Sequence, residues 1–135
     1  MVEPIWVLDE VVPAIHQRQL AEHGGNEGIR DAGLLASALS RPKHQFAYGG
    51  DAVSIFSLAA AYAFGLARNH PFLDGNKRTA FVVSLLFLHI NGYKLVVSQE
   101  EKYQTYLSLA AGTLEETALA DWIARYSVPI EPEHP

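Results

Sequence analysis

Two apolar runs separated by one polar break constrain this chain more than any other feature. The first is "AVSIFSLAAAYAFGLARNH", from Ala52 to His70, and the second is "AFVVSLLFLHI", from Ala80 to Ile90. Both are rich in Ala and Leu and have helical length, so each reads as a buried helix. The second is shorter than a membrane span and is broken by Ser84 and His89, which makes it a core helix. Between them lies "RNHPFLDGNKRTAF", residues 68–81. Pro71 ends the first helix, and a fresh one is expected near Asn76, running to a left-handed stop at Asn91–Gly92.

The rest of the chain fits around that pair. A length of 135 residues with 49% hydrophobic and 19% charged content predicts one compact domain, residues 1–135, rather than disorder. The expected fold is an all-α helical bundle of about six helices. A first helix is expected in "LDEVVPAIHQRQLAEHGG", capped by Asp9 and stopped by Gly24–Gly25. A Gly-rich connection, "GGNEGIRD", leads to Asp31, which caps a short helix that Pro42 ends. "RPKHQFAYGGD" has no clean period and reads as an ordered loop or small hairpin near residues 41–50. Asp51 is expected to cap the next helix. After a short extended link, Ser98 with Glu101 and Thr113 with Glu116 form capping boxes for the last two helices. The tail, residues 129–135, is expected to be loose.

Composition also excludes some functions. A formal charge of −5 gives no broad face for nucleic-acid backbones. The absence of cysteine removes thiolate chemistry and fits a reducing cytoplasm. The start "MVEPIWVLDE" is acidic where a signal peptide is basic, so no direct nucleic-acid or membrane partner is expected and the expected location is cytoplasmic.

The polar break carries the chemistry. A helix starting at Asn76 beside Gly75 presents unpaired N–H groups and the positive end of its dipole, a cradle suited to phosphate. Lys77 and Arg78 add charge in the first turn. Asp74 is costly next to phosphate unless Mg²⁺ reconciles the two, because Mg²⁺ takes one or two carboxylates together with phosphate oxygens. His70 can accept a proton from a hydroxyl. Taken singly, each residue has a plainer reading: His70 as a helix-end cap, Lys77 and Arg78 as a solvated face, Asp74 as a turn residue. Their combination within nine residues suits nucleotide-dependent transfer to a hydroxyl. His16, His23, His44 and His89 have no partners at metal-ligand spacing and are assigned no chemistry.

"HPFLDGNKR" resembles the Fic/Doc signature, His-Pro-Phe-x-Asp/Glu-Gly-Asn-Gly-Arg-x-x-Arg. The order of "HGGNEGIRD", "FAYGG" and "RNHPFLDGNKRTAFVVSLLFLHINGY" is similar to the Doc (death on curing) branch of that family. The resemblance covers roughly residues 5–127 and implies an all-α fold with core helices flanking the signature loop, residues 70–78. It implies that His70 is the catalytic base, Phe72 a loop anchor and Asp74 the Mg²⁺ ligand. Gly75, Asn76, Lys77 and Arg78 are the implied nucleotide-phosphate site. Lys77 stands where the adenylylating majority has a second glycine, and Phe81 where it has a second arginine. The Doc branch has a lysine at the position of Lys77.

The resemblance therefore implies transfer of the γ-phosphoryl group of Mg-ATP to a Thr or Ser hydroxyl of a translation protein such as elongation factor Tu. AMP transfer by the same base and metal residue is the alternative, and a catalytically idle binding module is the second. The family's target-docking flap falls on Lys43, Gln45, Phe46, Ala47 and Tyr48. Its built-in inhibitory pattern, Ser/Thr-x-x-x-Glu-Gly/Asn, is absent from this sequence, so restraint is expected from a separate antitoxin.

Overall fold

The computed structural model describes residues 1–131, and six α-helices lie within them. In chain order these are α1 (Val11–His23), α2 (Ala32–Tyr48), α3 (Ile55–Asn69), α4 (Asn76–Ile90), α5 (Gln99–Ala110) and α6 (Glu116–Tyr126). One 3₁₀ turn (Gly50–Ala52) precedes α3, and two strands, β1 (Tyr93–Leu95) and β2 (Ser127–Pro129), complete the described chain.

Helix α3 is the axis of the bundle. Leu58 through Ala63 and Gly65 through Ala67 are all buried, so the helix is enclosed on every side. Its five alanines at 59, 60, 61, 63 and 67 have no bulk to hold neighbours off, and α2, α4, α5 and α6 all pack against it. The surrounding core includes Val12 of α1, Leu35 and Leu39 of α2, Val83, Phe87 and Leu88 of α4, Leu109 of α5, and Leu119 and Ile123 of α6. No helix among the described residues is long and apolar enough to cross a membrane.

Several expectations change on contact with the structure. The stretch 41–50 is neither a loop nor a hairpin, because α2 runs through Pro42 to Tyr48. Pro42 lacks the N–H that would bond the Ala38 carbonyl, normally a cost of about 3 kcal/mol in a helix interior. Here Gly65 of α3 fits against that same residue: a methyl group on Gly65 would lie 3.2 Å from Ala38 Cα and 3.3 Å from its oxygen. Three caps also move. Ser54 rather than Asp51 caps α3, in a reciprocal box with Ser57. Asp9 makes no cap on α1 and instead lies 3.5 Å from Lys43 Nζ. Thr113 donates to the Ser108 carbonyl instead of capping α6. Ser98 does accept from the Glu101 N–H, at 3.1 Å.

Residues 129 and 130, expected to be loose, are paired. Pro129 pairs antiparallel with Tyr93, and the Ile130 N–H donates to the Gly92 carbonyl at 2.9 Å. Residues 132–135 of that expectation lie outside the described residues.

Candidate functional site

The site is the turn between α3 and α4. Helix α3 ends with His70 in the left-handed region, at φ 48° and ψ 55°, which no other non-glycine residue of the described chain shares in φ sign. That conformation costs a non-glycine residue about 1–2 kcal/mol. It is held in place from the glycine-rich connection: Arg30 Nε donates to the His70 carbonyl at 2.6 Å, and Arg30 Nη2 to the Asn69 carbonyl at 2.9 Å. The Pro71 carbonyl accepts from the N–H groups of Arg30 and Asp31, and the Leu73 N–H donates to the Gly28 carbonyl. Ile29 and Phe72 thus form a short antiparallel bridge.

Beyond that bridge the turn closes on itself. Asn76 Oδ1 accepts from the Phe72 N–H and Nδ2 donates to the Phe72 carbonyl, both at 2.9 Å. The Asn76 side chain is therefore committed to shaping the loop, and what it offers a ligand is its backbone N–H. Phe72 is 1% exposed and stacks on His16, with ring centroids 3.8 Å apart and planes within 9°. The Asp74 carboxylate is exposed, with Oδ1 accepting from the Gly75 N–H at 2.9 Å and Oδ2 from the Asn26 N–H at 3.3 Å. Gly75, at φ 75° and ψ 17°, is the residue from which α4 starts.

Those bonds leave the first turn of α4 open. The Thr79 N–H reaches the Gly75 carbonyl, whereas the N–H groups of Asn76, Lys77 and Arg78 precede the first intrahelical bond. The imidazole of His70 is exposed near this turn, and Arg78 is exposed on it. Lys77 Nζ lies 5.1 Å from the centroid of the Tyr103 ring, a cation–π contact. Beside these cations a cavity of about 350 Å³ opens between α1, α4 and α5, with Phe81, Tyr103 and Tyr106 in its wall. Phe81 packs edge-on against Tyr106 at 4.7 Å. Burial pushes the Tyr106 phenol up to about 12 despite its bond with Ser84, so it is a neutral wall residue.

The donor set suits a magnesium-bound polyphosphate. Three unpaired amides and two cations on one helix start could satisfy phosphate oxygens, and the one carboxylate beside them could serve as a metal ligand. No cluster of three or more His, Cys, Asp or Glu side chains that could cage a metal occurs among the described residues. Mg²⁺ is ordinarily held by one or two carboxylates plus substrate phosphates, which matches this arrangement.

The residues assigned to a docking flap are elsewhere in kind. Lys43, Gln45, Phe46, Ala47 and Tyr48 occupy the last turns of α2. Gln45 donates to Glu116 at 2.7 Å, Phe46 packs edge-on against Trp6, and Tyr48 is 78% exposed. The N–H groups of this segment are bonded within the helix, so it presents no strand edge for an extended peptide to pair with. Sequence reading also missed His16, Arg30 and Asn26, which hold the loop from 39 to 58 residues away. The glycines around Asn26 and Arg30 were the available signal; nothing local marked His16.

The sequence profile of the Fic/DOC family matches residues 6–88, more than half of the chain. The chain belongs to the Fic/DOC family. The matched span of this Fic/DOC chain takes in α1, the glycine-rich connection, α2, α3, the loop and nearly all of α4. The protein is similar to Toxin Doc of Mycolicibacterium smegmatis (strain ATCC 700084 / mc(2)155), at 49% identity over 73 residues, covering 53% of this chain and 55% of that protein. It thus spans about half the length of that relative. It is also similar to Protein kinase doc of Escherichia phage P1, at 33% identity over 116 residues, covering 86% of this chain and 90% of the relative.

Proposed function

We propose that this Fic/DOC protein is a Doc-type toxin that moves the γ-phosphoryl group of Mg-ATP to a Ser or Thr hydroxyl of a protein in the translation machinery, elongation factor Tu being the first to try. The observation that carries the reading is the helix start at Asn76: three unpaired amides, Lys77 and Arg78 beside one carboxylate and one exposed imidazole. Similarity to a protein named as a kinase supports phosphoryl rather than nucleotidyl transfer.

In this scheme the His70 imidazole takes the proton of the target hydroxyl. The freed oxygen attacks the γ-phosphorus, the bond from that phosphorus to the β–γ bridging oxygen breaks, and ADP leaves with the electron pair. The amides of Asn76, Lys77 and Arg78, with the two side-chain cations, stabilise charge on the phosphate oxygens, where a loose phosphoryl transition state carries it. Asp74 is the residue that would hold Mg²⁺, which when bound neutralises phosphate charge. Asn76, Phe72 and Arg30 keep the turn in shape.

AMP transfer remains the alternative because Gly75 and Asn76 match the adenylylating signature, while Phe81 in place of its second arginine weighs against it. ATP labelled at the γ- or the α-phosphate separates them. Label reaching the protein target from the γ position alone supports the kinase, and label from the α position contradicts it. An idle module is tested in cells: overproduction should halt growth, and His70→Ala should abolish that effect. Similarity to Toxin Doc supports a setting in which a separate antitoxin restrains the enzyme.

A further inference from the structure

We propose that His16 is a positioning residue that locks the orientation of the Asp74–Gly75 peptide, an inference that rests on the phosphotransfer reading above. His16 lies on α1, is 2% exposed, and its Nε2 is 2.7 Å from the Asp74 carbonyl oxygen. A carbonyl only accepts, so Nε2 carries the proton. The ring is fixed by its stack on Phe72, and Gly75 sits against its edge: a methyl group at Gly75 would lie 3.7 Å from Cδ2 and 3.8 Å from Nε2.

The peptide in question has two accessible orientations. Glycine at 75 accepts φ 75°, the observed value, as readily as a φ of about −90°, and these differ by reversal of the preceding peptide, as in type II and type I turns. In the observed orientation the Asp74 carbonyl points to His16. Because the peptide is planar and trans, the Gly75 N–H then points the opposite way, where Asp74 Oδ1 accepts it at 2.9 Å. Reversal exchanges these directions. The carboxylate then loses its donor and meets a carbonyl oxygen instead.

His16 thus acts at a distance on the carboxylate assigned to Mg²⁺. The residue selects the peptide orientation through its Nε2–H, while its ring face contributes packing that any aromatic side chain supplies. Those two roles are separable. His16→Phe keeps the stack on Phe72 and deletes the donor, whereas His16→Gln returns an amide donor at similar reach.

The test uses the full chain and two readouts, the Gly75 amide resonance in the ligand-free protein and the dissociation constant of Mg-ATP by calorimetry. His16→Phe should displace the Gly75 resonance and weaken Mg-ATP about tenfold, the scale of one lost buried hydrogen bond. His16→Gln should recover most of both. A phenylalanine variant that folds, leaves the Gly75 resonance in place and binds Mg-ATP as the wild type does overturns the proposal; so does a glutamine variant no better than phenylalanine. If His16→Phe does not fold, His16→Met, which fills the space without a donor, takes its place under the same criteria. Should the wild type bind no Mg-ATP, the functional reading falls, and the Gly75 resonance still decides whether His16 holds this peptide.

Discussion

Pro42 and Pro71 sit in stretches of similar composition, and the chain treats them in opposite ways. "RPKHQFAYGG" and "NHPFLDGNK" each hold a proline, a histidine, a lysine, a phenylalanine and glycine, yet the first is helix to Tyr48 and the second is a turn. The difference lies in what meets the disturbed backbone. At Pro42 the neighbour is Gly65, which lets α3 close over Ala38 without disrupting the helix. At Pro71 the neighbours are donors: the Pro71 carbonyl takes two N–H groups, the His70 carbonyl takes Arg30, and Asn76 ties both backbone groups of Phe72. A proline marks a place where backbone groups need partners, and the partners decide whether it becomes a loop.

The largest expected effect separates the two stretches by function. His70→Ala should reduce target phosphorylation by about 10²- to 10⁴-fold, the usual weight of a general base, with the melting temperature little changed. Alanine bears the same left-handed strain as histidine at position 70, and the imidazole it removes is exposed, so stability should change little. Equal activity in wild type and variant would remove the functional distinction between the two stretches.

Next in size is Gly65→Ala, which attacks the Pro42 side. Its methyl group meets Ala38 backbone at 3.2–3.3 Å, so the helices must part, at a cost of about 1–3 kcal/mol in urea unfolding. A neutral result would mean that α2 and α3 do not depend on this close approach. Alkaline unfolding probes the core shared by both stretches. Burial raises Tyr62 and Tyr106 from 10.0 to about 12. Between those values the unfolded chain has released protons that the folded chain retains, so stability should be flat below about pH 10 and fall toward pH 12. Tyr106→Phe should flatten that fall.

The smallest effect is expected from Pro42→Ala. Restoring the N–H to the Ala38 carbonyl recovers up to about 3 kcal/mol, and losing two buried methylenes gives back about 1.6 kcal/mol. A net gain of roughly 1 kcal/mol in thermal unfolding is the expected outcome. A loss would show that the ring is needed where it packs.

Legibility followed the range of the forces involved. The start of α4 near Asn76 and its stop at Asn91–Gly92 were readable because the cues are local, and Gly92 does take the positive φ, at 91°. The Ser98 cap was readable for the same reason. Asp51 misled because Ser54, three residues on, is an equally good cap and lies where α3 packs. The helical course of 41–48 was not readable, since Gly65, which meets Ala38 in the turn before Pro42, is distant in sequence. Nor was the sheet of β1 and β2, whose strands meet from 34 residues apart. At the site, the composition of the loop was legible and its support was not: His16, Asn26 and Arg30 act through long-range bonds that no spacing rule reveals. Asn76 shows the reverse case, a residue assigned to phosphate whose side chain holds the loop.

The central claim is that the first turn of α4 is where a magnesium-bound nucleotide places its phosphates. Amide resonances of the His70→Ala protein, followed while Mg-ATP is added, test it most directly. The largest displacements should fall on Asn76, Lys77 and Arg78, with Asp74 responding only when Mg²⁺ is present. Displacements confined to α2 or to the α5–α6 side, with those three amides unmoved, would contradict it.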